Sequence, residues 1–243
     1  MLNRTLSFIQ RLLPKPLFAL LQPPYHYALA FLGAVLYGFP SKKLFVVGVT
    51  GTKGKTTTTE LINAVLEEAG YTTALADTVR FKIADTSEDN LYKMTLPGRF
   101  FIQRFLTRAV AAKCTHAVVE VSSEAVVQFR DRFLCLDALV FTNLAPEHIE
   151  SHGSYENYVA AKLQIGKRVL SSKKQRQILV LNADDKEAKK FEDLNIPETY
   201  RFGLADAAPY AVSPEGTTFT FQKTKIWSRL PGEFNVYNML AAL

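Results

Sequence analysis

The sequence predicts an α/β domain wound around a mostly parallel sheet, preceded by a short helical segment. From Leu44 onward, short apolar runs of strand length alternate with stretches of helical periodicity. A Gly-rich turn joins the first of those runs to the first helix. With 48% hydrophobic and 21% charged positions over 243 residues, the chain can bury a sizeable core, which excludes disordered and collagen-like classes.

Residues 1–43 come first. Tyr27 to Phe39 is apolar throughout and follows Arg4, Arg11 and Lys15, but it falls short of the roughly 18 apolar residues of a membrane-spanning helix. Gln22, Pro23, Pro24 and His26 interrupt it on the N-terminal side, and no small-residue cleavage site follows, so a signal peptide is a poor reading. Two readings stay open: a helical hairpin covering the next domain's sheet, or a shallow anchor giving peripheral membrane contact.

The alternation begins with a strand at 44–50, a helix from Lys55 to Ala69 and a strand at 72–77, a βαβ opening. A polar stretch with Asp85, Ser87, Glu88, Asp89 and Asn90 leads to a helix near Phe100 to Ala112. A strand at 115–121, another helix and a strand at 137–143 follow. Residues 154–170 read as a helix, 177–183 as a strand and Asp184 to Leu194 as a helix. The runs TTFTFQ and KIWSRL read as a late hairpin, and a helix begins near Phe234. That helix is cut at Leu243, which reads as a truncated domain 44–243.

Charge and cysteine content narrow the chemistry. A net charge of +6 favours phosphate-rich ligands or anionic surfaces without indicating nucleic acid. The two cysteines, Cys114 and Cys135, are too far apart for a metal-binding CxxC pair, so disulfide and zinc frameworks are unsupported and a reducing, cytoplasmic compartment fits.

The strongest signal is GVTGTKGKTTTTE at 48–60, a P-loop-like turn between a buried strand and a helix. Gly51 and Gly54 can adopt backbone angles closed to other residues, so successive N–H groups can face a polyphosphate at a helix N-terminus. Lys55 adds a point charge, and the Thr56 hydroxyl is placed to ligate magnesium. Where the general pattern has a first glycine, this chain has Val49, so the match is to the tighter TGTxGKT variant. Glu120 ends a predicted buried strand, a position suited to a magnesium-holding carboxylate or to a merely solvated one.

TGTKGKTTT is joined by EVSSEAVVQFR (120–130), FTNLAPEHIESHGSYENYVAAK (141–162), NADD (182–185) and GEFNVYNMLAA (232–242). In this order the five motifs resemble the central, ATP-binding domain of the Mur ligase family across residues 44–243. The resemblance implies that Gly51, Thr52, Lys53, Gly54, Lys55, Thr56 and Thr57 hold ATP phosphates and that Glu120 binds Mg2+. It implies His148 as ligand of a second magnesium, with His152 structural, and Lys162 as a lysine carbamylated into a metal-bridging anion. Thr95, Ser122, Gln128 and Arg130 would contact a UDP-sugar substrate, although Leu96 and Glu124 depart from the family pattern. Asn235 and Asn238 would reach the adenine, with helix capping as the plainer reading of Asn235. Asn182, Asp184 and Asp185 match a nucleotide-side motif, and an Asx cap on the next helix explains them nearly as well.

The implied reaction passes the ATP γ-phosphoryl to a carboxylate of a UDP-MurNAc-peptide, and an amino acid's amine displaces phosphate from the acyl phosphate to form an amide. The alternatives are a nucleotide-binding module without turnover and a folylpolyglutamate-synthetase-like ligase; EVSS and FNVYN argue against the latter.

Overall fold

The computed structural model describes residues 15–147 and 149–243. The first half of the hairpin expected over residues 1–43, and His148, lie outside the described residues. The described residues of this segment form the helix α1 (Lys15–Leu36), which carries Pro23 and Pro24 inside it. Ala30 and Ala34 are buried, and Gly33 lies close to the Arg99 backbone, so the helix packs by its small residues. Tyr27, Phe31 and Phe39 gather around the Phe133 ring at 5.4, 5.6 and 6.3 Å.

A 3-10 turn (Pro40–Lys43) delivers the chain into β1 (Phe45–Thr50), followed by α2 (Lys55–Glu68) and β2 (Thr73–Ala76). The polar stretch then forms a hairpin of β3 (Arg80–Ile83) and β4 (Thr86–Asp89), where the sequence suggested only a connection. Next come α3 (Arg99–Ala111), β5 (His116–Glu120), α4 (Ser123–Val127), β6 (Ala138–Phe141), α5 (Ile149–His152) and α6 (Tyr155–Ser171). The chain continues through β7 (Ile178–Asn182), α7 (Ala188–Glu192) and β8 (Glu198–Phe202). It ends in β9 (Tyr210–Ser213), β10 (Gly216–Phe221), β11 (Thr224–Ser228) and α8 (Glu233–Leu240).

The eight-stranded sheet runs β4-β3-β2-β5-β1-β6-β7-β8. The pairings that join β2, β5, β1, β6, β7 and β8 are parallel, and the β2–β3 and β3–β4 pairings at one edge are antiparallel, which matches the mostly parallel doubly wound reading. The late hairpin gains a third strand, giving a small sheet β11-β10-β9.

Strand side chains alternate between two cores, as a sheet covered on both faces requires. Val46, Val119, Leu139 and Leu179 face one side with Leu106 of α3 and Ile165 of α6. Val47, Val49, Val118 and Val140 face the other with Ile62 of α2 and Val236 of α8. β1 is the centre, flanked by β5 and β6, and the chain leaves it first toward β2 and later toward β7. The crevice beyond the carboxyl ends of β1, β5 and β6 is therefore the topological switch point where such sheets bind ligands.

Candidate nucleotide and magnesium site

The loop after β1 takes its shape from glycine. Gly54 stands at the entry to α2 with φ +78°, and a Cβ there would lie 2.2 Å from Asn238 Oδ1. Gly51 has φ +155°, and a Cβ would lie 1.9 Å from Thr142 Oγ1. The cradle is built at the approach limit of two neighbouring segments, and only glycine fits.

Those segments clamp the loop. Asn143 receives the Lys53 N–H on Oδ1 and returns its own Nδ2–H to the Lys53 carbonyl, both at 2.9 Å. Thr142 Oγ1 donates to the same carbonyl at 2.8 Å, and Thr52 N–H donates to the Asn143 carbonyl at 2.8 Å. Thr52 Oγ1 meets Tyr158 Oη at 2.9 Å and accepts from Ala145 N at 2.9 Å. Lys55 Nζ folds back on the Thr52 carbonyl at 2.9 Å. These bonds hold the backbone N–H and carbonyl groups of Thr52 and Lys53, which leaves the loop pre-shaped.

Thr56 opens α2 and donates through Oγ1 to Glu120 Oε2 at 2.8 Å. Thr78 adds two donors to that same oxygen, N–H at 3.2 Å and Oγ1 at 3.1 Å, and Glu120 is almost fully buried. A hydroxyl and a carboxylate at the mouth of a phosphate loop form a hard-oxygen donor set that fits Mg2+. Nearby, burial pushes the Asp77 carboxyl up to about 6, helped by the charges of Glu60 and Glu120.

Lys162 projects from α6 to the underside of the loop. Its Nζ donates to the Gly51 carbonyl at 2.6 Å, lies over the Tyr158 ring and is buried. Burial, with the Lys55 cation second, holds its amine down at about 7 against the pull of Glu124, Glu120 and Glu147. Ser154 caps the helix by accepting from Asn157 N, which fixes the angle at which Lys162 enters.

On the other flank, Lys53, Gly54, Thr57, Asn143, Asn238 and Tyr237 line a cleft of about 520 Å³ that also reaches Asn182 and Phe234. Asn238 is held by Thr58 Oγ1 at 3.3 Å and donates to Asn235 Oδ1 at 3.0 Å, while Asn235 Nδ2 donates to the Pro231 carbonyl. An aromatic-walled cleft bordering the phosphate cradle is the size and character of a nucleoside site.

The sequence-derived set therefore divides. The loop residues 51–57, Glu120, Lys162 and Asn238 converge on one crevice, whereas Asn235 is buried with its side chain on the Pro231 carbonyl and on Asn238. Thr95 Oγ1 donates to Ser122 Oγ at 3.0 Å, so these two stand together beyond Glu120. Arg130 is buried with Nη1 on the Thr95 and Leu96 carbonyls at 3.0 and 2.8 Å, where it braces that turn, and Gln128 is exposed. His152 Nε2 pairs with Ser123 Oγ at 3.0 Å. Asp184 and Asp185 accept backbone N–H groups of Leu204, Leu144 and Glu187, so they serve as turn and cap acceptors here. Thr78, Thr142 and Tyr158 were not singled out by sequence. Tyr158 had one usable signal, since it lies four residues before Lys162 on the same helical face.

This loop at a sheet's switch point, with a Lys, a Thr and an acidic strand end, defines a P-loop nucleotide-binding fold. The chain belongs to the Mur ligase family: the family model described as Mur ligase middle domain matches residues 49–243. It is 36% identical, over 94% of its length, to the UDP-N-acetylmuramyl-tripeptide synthetase of Roseiflexus sp., covering 48% of that protein. It is 34% identical, over 88% of its length, to the UDP-N-acetylmuramoyl-L-alanyl-D-glutamate–2,6-diaminopimelate ligase of Halalkalibacterium halodurans, covering 46% of it. A solved structure of a ligase of that latter name superposes with a TM-score of 0.70 at 26% identity, over 82% of this chain and 42% of the other. A Mycobacterium tuberculosis folylpolyglutamate synthase complexed with ADP shares the fold, with a TM-score of 0.69 at 14% identity over 88% of this chain and 56% of that one. The chain spans about half the length of the curated relatives it matches.

Proposed function

We propose that residues 44–243 are the nucleotide-binding domain of an ATP-dependent ligase of peptidoglycan precursor synthesis. It would join an amino acid to a carboxylate of a UDP-MurNAc-peptide in the cytoplasm. The observation that carries this reading is the glycine cradle flanked by the Thr56–Glu120 oxygen pair and the cleft at Asn238. ATP phosphates fit the loop's N–H groups and Lys55, and the base fits the cleft. Magnesium, held through Thr56 and Glu120, would supply charge neutralisation at the phosphates. The chain's own part is to hold the anionic groups together in a partly desolvated crevice. The hydrogen-bonded pair Thr95–Ser122, of which Ser122 lies two residues along the chain from Glu120, supports the substrate assignment.

Lys162 fits carbamylation. A neutral amine attacks carbon dioxide, forming an N–C bond and releasing one proton, and an amine titrating near 7 is neutral often enough to react. The carbamate keeps an N–H for the Gly51 carbonyl while its oxygens could serve a metal.

Lys55→Ala is expected to weaken MgATP binding at least ~10-fold, because the loop loses the side-chain cation facing the phosphates. Calorimetry on both proteins reads it; equal affinity would take Lys55 out of the site.

Residues 1–43 support a second, separate reading as a membrane-surface contact. Among the described residues no helix is long and apolar enough to cross a membrane. Yet α1 exposes Leu20, Phe31, Leu32, Val35 and Leu36, with Leu20 72% and Leu36 68% accessible. Beside it, Lys42, Arg132 and Lys173 join Phe39 and Phe133 around a groove of about 570 Å³. Apolar side chains next to cations suit an anionic lipid surface. Anionic vesicles should sediment the full chain and leave a chain starting at Lys42 in solution; equal sedimentation would reduce α1 to a packing element.

A further inference from the structure

We propose that Thr78 is a positioning residue that sets the magnesium-binding carboxylate of Glu120. The proposal rests on the reading of Thr56 and Glu120 as the magnesium pair. Glu120 sits at the carboxyl end of β5, whose neighbour β2 runs parallel with Ala76 opposite Val119. The residues that leave β2 therefore pass beside Glu120, and Thr78 is the second of them.

Thr78 is held there by a turn with no slack. Asp77 Oδ1 accepts the N–H groups of Val79 and Arg80 at 2.7 and 2.8 Å, and Asp77 N–H donates to the Arg80 carbonyl at 3.1 Å. Asn90 Nδ2 ties the Asp77 carbonyl at 2.6 Å, and the Arg80 guanidinium grips Glu60 on α2 through two nitrogens. The turn is thus anchored both to the β4 end of the hairpin and to the helix that carries Thr56. Its product is a pair of donors from one residue, N–H and Oγ1, on a single carboxylate oxygen that Thr56 also contacts.

A buried carboxylate stays ionised and fixed only where donors replace the water it has lost. Three donors on Oε2 select one rotamer of Glu120. Of these, Thr56 must also turn its oxygen to a cation, so the bonds from Thr78 hold the carboxylate independently of the metal. Removing the Thr78 hydroxyl leaves Glu120 with a weaker hold on that rotamer, and the loss falls on metal affinity rather than on the nucleotide's contacts with the loop.

The test is nucleotide binding titrated with magnesium, using a fluorescent ATP analogue and following binding alone. Thr78→Val, which replaces the hydroxyl by a methyl of similar size, is expected to raise the magnesium concentration for half-maximal binding about tenfold. Binding of the analogue in excess chelator should not change. Thr78→Ser should return the magnesium dependence to within about threefold of the wild type, because the hydroxyl is back. Thr78→Ala removes the hydroxyl without bulk and reads the same quantity should the valine variant melt early. A wild type that binds with magnesium dependence, together with Thr78→Val and Thr78→Ala variants that share it unchanged, would overturn the role of Thr78 alone. A wild type indifferent to magnesium would overturn the magnesium pair and this proposal with it.

Discussion

Gly51→Ala is expected to lower MgATP affinity ~100-fold, the equivalent of about 2.8 kcal/mol. Gly51 holds a φ of +155°, and the added Cβ would meet Thr142 Oγ1 at 1.9 Å and the backbone N and O of Asn143 at 3.1 Å. The Thr142 side chain cannot simply step aside, since its hydroxyl holds the Lys53 carbonyl. Nor can the loop, because Lys162 holds the Gly51 carbonyl from below. Backbone strain of about 1–3 kcal/mol therefore combines with lost loop bonds of about 1 kcal/mol each. Gly70→Ala is the control: φ is +86° there too, but nothing lies within 4 Å of the added carbon. It should cost about 1 kcal/mol of stability and leave ATP binding intact. Calorimetry with thermal melts on both variants separates the cases. A Gly51→Ala protein that binds ATP as the wild type does would remove the cradle from the proposed site.

How much of this was legible in the sequence depends on how local each signal is. The strand, glycine turn and helix from Phe45 to Glu68 could be read because Gly51, Gly54, Lys55 and Thr56 act within one short stretch. The β3–β4 hairpin could not, since its turn is Ala84-Asp85 with Ala84 at φ +49°, a residue that carries no left-handed signature. β8 was missed because Glu198–Phe202 lies at the sheet edge and is polar, without the run of apolar residues that marks the inner strands. The helix expected over Asp184 to Leu194 shortens to Ala188–Glu192, because Asp184 and Asp185 bind backbone N–H groups in a turn instead. Pro23 and Pro24, which counted against a signal peptide, lie inside α1 and do not end it. In the site, Thr78 belongs to no motif, and Thr142 lies inside one without being marked out by it. They matter through what adjacent parallel strands bring together, and that is information about register rather than spacing.

Lys162→Ala is expected to abolish the signal that labelled bicarbonate gives with the wild type, a carbamate carbonyl resonance in the carbon spectrum of the protein. The buried amine titrates near 7, well below the lysine value of about 10.5. Its carbamate should form around neutral pH, fade as acid protonates the amine, and fail to appear in the alanine variant at any pH. The same shift gives a stability test with a definite sign. Between about 7 and 10.5 the unfolded chain binds the proton that the folded chain has lost, so this group makes stability rise with pH through that window. Below it the full penalty of burying a cation is present. Lys162→Met keeps the length and removes the charge, so it should stabilise the fold most near pH 6 and least near pH 10. Function separates charge from shape: Lys162→Glu restores a carboxylate and should keep part of any magnesium-dependent acyl-phosphate formation that the full-length protein shows, while Lys162→Ala should lose it. Full activity in Lys162→Ala, or a melting curve with the same pH dependence in Lys162→Met as in the wild type, would leave Lys162 as a packing residue beneath the loop.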